Sequence, residues 1–160
     1  MGSVTVQFDK LGIDGALDGM EREMLDLMRP AAQAGAQVFY DEVKTRVASI
    51  GKVTGNLASS IYQAWSRDRS IEGHSVYHIS WNASKAPHGH LVEYGHTQTR
   101  KVYQGSDGKW YTSKEKLPAP KRVAARPFLR PAYDAKATAA AEAASARYEE
   151  GMRELLARIT

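Results

Sequence analysis

The chain reads as α+β: a small antiparallel sheet packed against N-terminal helices and a long C-terminal helix, with a protruding hairpin. Three observations predict it. Tyr77, Ile79 and Trp81 alternate with Val76, His78 and Ser80, the period of a half-buried strand. The segment 132–159 is alanine-rich, with Ala137, Ala141, Ala144, Tyr148, Met152, Leu155 and Ile159 on a narrow helical stripe. Between them, Val102-Tyr103 and Trp110-Tyr111 flank a polar turn centred on Asp107-Gly108, the signature of a hairpin.

The elements follow in order. Val4, Val6 and Phe8 alternate with polar residues and suggest a first short strand. Gly12 and Gly15 bracket an expected turn, with Asp14 placed to cap the helix after it. Leu17, Met20, Met24 and Leu27 or Met28 recur at helical spacing, and the methionines read as core filling. Pro30 predicts a break near Arg29 and a place in the first turn of a second helix. Ala36, Phe39 or Tyr40, Val43, Val47 and Ile50 form that helix's apolar face, and Gly51 ends it. Ile61, Gln63 and Trp65 form one face of a strand that pairs with 76–81 across a turn containing Asp68, Ser70 and Gly73. A loop with Pro87 follows. After the hairpin, Pro118, Pro120, Pro127 and Pro131 impose an extended path. The 160 residues fit one domain, with 97–117 as a basic arm and 132–159 as the final helix.

Composition narrows the function. The chain has no cysteine, which excludes disulfides, thiol catalysis and thiolate metal sites. No apolar run approaches the ~20 residues of a membrane span. The first ten residues lack a secretory layout, so synthesis in a reducing cytoplasm is expected. The net charge of +4 is concentrated. From Thr97 to Arg130 nine bases face two acids, giving +7; thirteen bases and sixteen acids elsewhere leave −3. Such a segment suits phosphates or an acidic protein surface.

Catalysis finds little support. His88, His90, Glu93 and His96 fall within nine residues, but their spacing matches no zinc pattern. Ser59 and Ser60 lack a nucleophile elbow, and Thr54-Gly55 lacks the context of a phosphate loop. Glu93, among apolar neighbours, suits a partly buried acid that accepts hydrogen bonds or pairs with a nearby base. No catalytic, cofactor or metal residue is assigned. Arg100, Lys101, Tyr103, Lys109, Trp110 and Tyr111 make a candidate docking or DNA-facing arm, and a basic nucleic-acid-binding protein is the alternative class.

Three stretches carry a resemblance. They are Thr54-Gly55-Asn56-Leu57-Ala58-Ser59-Ser60-Ile61, then His90-Leu91-Val92-Glu93-Tyr94-Gly95, then Arg126-Pro127-Phe128-Leu129-Arg130-Pro131. In this order and spacing the chain resembles the small tail-component proteins of long-tailed phages, the tail-completion or head–tail joining (neck) group. His96 stands where threonine is usual in that group, and the hairpin lies where its members vary in length. The resemblance implies a non-catalytic structural virion protein, a homo-oligomer in the assembled particle. Its partners would be head-connector and tail-tube proteins, with passive contact to packaged DNA and none to membrane. A tail terminator, which stops tube polymerisation, is the alternative within the class. In this reading Thr54 and Gly55 shape a turn, Leu57 and Ile61 anchor it, and Phe128-Leu129 fix the root of the last helix.

Overall fold

The structure, a computed structural model, describes residues 10–51 and 55–159. It is α+β, with two small antiparallel sheets, N-terminal helices and a long C-terminal helix. The helices are α1 (Lys10–Asp26), α2 (Met28–Ser49), α3 (Asn56–Ser60), α4 (Gly89–Tyr94) and α5 (Leu129–Ile159). The strands are β1 (Ile61–Trp65), β2 (Tyr77–Trp81), β3 (His96–Gln104) and β4 (Trp110–Val123). β1 pairs with β2, and β3 with β4. The strand expected over 4–8 lies outside the described residues, as does Thr54.

The chain divides into two compact units. The first comprises Met1–Val38, Gln63–His78 and Ala137–Thr160. Its helices α1 and α2 meet at Leu27, whose carbonyl accepts the Ala31 N–H at 3.2 Å. Pro30 occupies the third position of α2, where the missing N–H costs no helical bond. Ala31, Ala36, Ala140 and Leu155 are buried here. Gly35 lets backbones approach: a Cβ there would sit 2.8 Å from the Ala140 carbonyl oxygen and 3.4 Å from the Ala144 Cβ. Trp65 donates from Nε1 to Ser75 Oγ at 3.1 Å, and the Arg29 guanidinium lies 4.1 Å from its ring centre.

The second unit comprises Phe39–Tyr62 and Ile79–Lys136. Val43, Val47, Leu57, Ile61, Ala86, Phe128 and Ala132 form its buried core. Phe128 is fully buried and meets Trp81 edge-on at 5.8 Å between ring centres. Phe39 and Tyr133 stack at 5.4 Å.

Several boundaries differ from expectation. α1 already runs from Lys10, through Gly12 and Gly15, where a turn and an Asp14 cap were expected. Each glycine costs a helix only about 1 kcal/mol, so the pair weakens the helix without ending it. The stretch 89–94 is a turn and a half of helix. α5 starts at Leu129, three residues before the expected 132, because Pro131 is tolerated in a first turn. On α5 the buried position is Ala140, whereas Ala141 is exposed. An unbroken run of alanines carries no apolar contrast to fix the stripe's phase.

The hairpin is longer than 97–117, extending from His96 to Val123. Pro118 and Pro120 lie inside β4 rather than in a separate extended segment. The pairing explains this. His96, Thr97 and Gln98 face Val123, Arg122 and Lys121; Arg100 faces Lys116; Val102, Tyr103 and Gln104 face Thr112, Tyr111 and Trp110. Register shifts fall between Gln98 and Arg100 and between Arg100 and Val102. β4 has 14 residues to the 9 of β3, and those shifts absorb the excess. Both prolines sit in the wider irregularity, where a missing donor breaks no ladder bond.

Candidate functional site

Two of the three sequence stretches are joined in the second unit by one buried acid, and Leu57 and Ile61 of the first share the apolar core with Phe128. Glu93, 5% exposed, lies near the end of α4. Its Oε2 accepts the Phe128 N–H at 2.7 Å and the Leu129 N–H at 3.1 Å; its Oε1 accepts the Arg130 N–H at 3.3 Å. These amides open α5, a helix of 31 residues, and would otherwise lack partners. A residue more than thirty positions upstream therefore caps the helix, and its negative charge faces the positive end of the helix dipole. The expectation that Glu93 accepts hydrogen bonds is met. Among the described residues no base pairs with it, and its carboxylate oxygens meet main-chain donors instead.

Arg126 does complementary work. Its N–H donates to the Val92 carbonyl at 2.8 Å, and its Nη1 donates to the Ile50 carbonyl at 3.3 Å, just beyond the end of α2. A cation thus faces the negative end of one helix while an anion faces the positive end of another. Gly55, at φ +76°, precedes α3, and its carbonyl accepts the Ser59 N–H at 3.1 Å. Leu57 and Ile61 enter the core beside Phe128, and the buried Ser60 donates to the Leu57 carbonyl at 2.8 Å. Leu91, Val92, Leu129 and Pro131 are half-buried, while Tyr94, Pro127 and Arg130 are exposed. Gly95 makes the exit. At φ +70° and ψ 173° it holds a backbone shape open only to glycine, and a Cβ would lie 2.7 Å from both Ala125 N and Val123 O.

Ala86 and Trp81 belong to the same junction, although nothing in the sequence singled them out for it. Trp81 stood in the clearest strand pattern, but its pairing with Phe128 has no local signature. His88 and His90 are exposed, and among the described residues no group of histidines and acids could hold a metal ion. His96 begins β3 with its Nδ1 buried and unpartnered, beside a cleft of about 320 Å³ at the root of the hairpin.

The model of one protein family, described as "Bacteriophage HK97-gp10, putative tail-component", matches residues 13–95. The chain belongs to the HK97-gp10-like family. It is a bacteriophage tail-component family, structural rather than enzymatic. No curated protein and no solved structure matches the chain significantly. The match ends at Gly95, where the hairpin leaves. Within it lie the Gly55–Ile61 and His90–Gly95 stretches; the Arg126–Pro131 stretch lies beyond it and is tied to it by Glu93. Among the described residues no helix is long and apolar enough to cross a membrane.

Beyond the matched part, this HK97-gp10-like chain carries the arm formed by β3 and β4. From Thr99 to Arg122 no residue is buried. Val102, Tyr103, Trp110 and Tyr111 are 42–54% exposed. The tip is nonetheless well bonded. Gly105 N–H donates to the Lys109 carbonyl at 2.8 Å, and Gln104 Nε2 to the Gly108 carbonyl at 3.0 Å. Asp107 accepts the Tyr111 hydroxyl at 2.7 Å and the Lys109 N–H at 3.1 Å. The Tyr111 hydroxyl, first, and the Lys109 amide hold the Asp107 carboxyl below its ordinary value, while Asp107 pushes the Tyr111 phenol up. Lys101 pairs with Glu115 at 2.6 Å and Lys109 with Asp107 at 3.6 Å. Arg100, Lys114, Lys116, Lys121 and Arg122 have no acidic partner among the described residues.

Proposed function

We propose that this tail component completes the phage tail and joins it to the head, as a homo-oligomeric ring between head-connector and tail-tube proteins in the virion. One observation beyond the family supports the reading: an arm roughly 30 Å long, by the nine residues of β3, rooted on a hydrogen-bonded junction and bare along its length. Exposed aromatic clusters mark surfaces that a partner covers. Tyr103 and Tyr111 lie 5.9 Å apart across the ladder, on the side of the arm where Lys101 is neutralised by Glu115. That side suits a neighbouring copy, because it offers apolar area at little cost in charge burial. A closed ring needs heterologous contacts, which an arm reaching onto a different surface of the next copy supplies. The second unit fixes the arm's direction through Gly95, Glu93 and Arg126.

Deleting the gene from its phage and imaging the lysate tests the proposal. DNA-filled heads beside unattached tails of normal length are expected. Complete infectious particles would refute the joining role. Tubes of uncontrolled length would reassign the protein as a tail terminator.

A further inference from the structure

We propose that one face of the arm holds the phosphate backbone of a nucleic acid. Residues paired across an antiparallel ladder share a face, and alternate residues along a strand return to it. On β3 this places Gln98, Arg100, Val102 and Gln104 together, with Lys121, Lys116, Thr112 and Trp110 as their partners. Arg100, Lys116 and Lys121 therefore share that face, and none has an acidic partner among the described residues. The other face carries Tyr103, Tyr111 and the neutral Lys101–Glu115 pair. Of the arm's unpaired cations, Arg100, Lys116 and Lys121 gather on one side of the ribbon, and Arg122, opposite Thr97 at its root, lies on the other.

A line of unpaired cations calls for a line of anions. Nucleic acid supplies one, about one charge per 1.7 Å of duplex. On a second copy the acids of the long helix are partly taken, Glu149 by Arg153 at 3.8 Å and Glu150 by Arg147 at 3.2 Å. On α1, Asp18, Glu21 and Asp26 are interrupted by Arg22, and Glu23 is already bound by Arg158 at 2.9 Å. Trp110, 54% exposed on the cationic face, adds a ring on which an unpaired base can stack. A two-stranded ribbon also fits the major groove of a duplex. With so few side chains placed to read base edges, binding follows the backbone and not the sequence. It needs only the arm, so it holds or fails separately from the tail-joining role.

Fluorescence anisotropy of the intact protein tests this, with a mixed-sequence duplex and an oligo-dT strand of equal length as probes. Three phosphate contacts predict a log–log salt slope near −2.7 on the duplex. The affinity then falls about 40-fold between ~50 and ~200 mM salt. The tighter of the two probes names the source of the phosphates. Arg100→Gln/Lys116→Gln/Lys121→Gln should flatten the slope by about two to three. Arg147→Gln/Arg153→Gln/Arg158→Gln removes the same net charge from α5 and should leave it unchanged, with circular dichroism confirming that both variants fold. Equal losses in the two variants would overturn the proposal, as would no binding of either probe at ~50 mM salt. Poly-glutamate of equal charge binding as tightly as the nucleic acids would also overturn it, by making the partner an acidic protein.

Discussion

Removing the Glu93 carboxylate should cost more than any other single change to a polar side chain in this molecule. Three N–H groups converge on it, and one of them, that of the fully buried Phe128, has no route to water. A hydrogen bond to a charged group contributes about 1.5–3 kcal/mol, and a buried donor left unpaired costs about 1–3 kcal/mol. Loss of a helix cap alone costs about 1 kcal/mol, with up to ~2 kcal/mol more for a partly buried charge at a helix terminus. These overlap, since the same three amides are counted in each. Glu93→Ala should therefore lose about 3–5 kcal/mol, a large part of the roughly 5–15 kcal/mol that holds a domain folded. Glu93→Gln keeps one acceptor oxygen but turns an NH2 group toward donors, and should lose about 2–3 kcal/mol. Urea unfolding measures both, and amide exchange reports locally: the Phe128, Leu129 and Arg130 amides should lose protection before the middle of α5. The exposed Glu142→Gln is the control. A Glu93→Gln protein within about 0.5 kcal/mol of the parent, with those amides still protected, would refute the capping role, since that is the cost of changing an exposed acid.

Gly95→Ala should destabilise by at least about 2 kcal/mol in thermal unfolding, because the new Cβ meets main-chain atoms at 2.7 Å in a glycine-only conformation. Excising the arm by joining Thr97 to Arg122, which face each other in the ladder, through a two-residue Asn-Gly turn should leave the remainder folded within about 1 kcal/mol, as no residue between them is buried except in part. The arm's tip should respond to pH at both extremes. The lowered Asp107 value means that its bond is present above the ordinary 3.8 and is lost as pH falls through the lowered value. The raised Tyr111 value means that the same bond persists to pH 10.0 and is lost as pH rises through the raised value. NMR shifts of the Tyr111 ring, compared with a Tyr111→Phe protein, check both limits.

What the sequence made legible follows from where its physics is local. Pro30 and Gly51 bound α2 as expected because each acts on its own backbone. β2 forms where the alternation at 76–81 announced it, with Ile79 and Trp81 packed on the core although all five of its residues are half-buried. The three motifs were visible, but their meeting point was not. Glu93 and Phe128 are 35 residues apart, and a carboxylate's acceptors leave no trace in the periodicity of either segment. The six residues of α4 are too few for a helical repeat to stand out. The length of β4 was hidden by its own prolines, which read as breakers until the register shifts show that they lie where no donor is needed.

The junction and the arm place opposite demands on the chain, and the residues divide accordingly. Glu93 and Arg126 bind main-chain groups and Gly95 leaves room for them, so their work depends on backbone position and tolerates little change in side-chain type. Along the arm the reverse holds: the ladder supplies the shape, and the side chains are free to carry charge and rings. The family match stops at the residue that separates the two, Gly95. A tail component built this way can change what its arm touches without disturbing the core that aims it, because the last residue of the match is the one whose conformation sets the arm's direction. Arm substitutions should therefore alter binding with little effect on stability, and junction substitutions should lose both together.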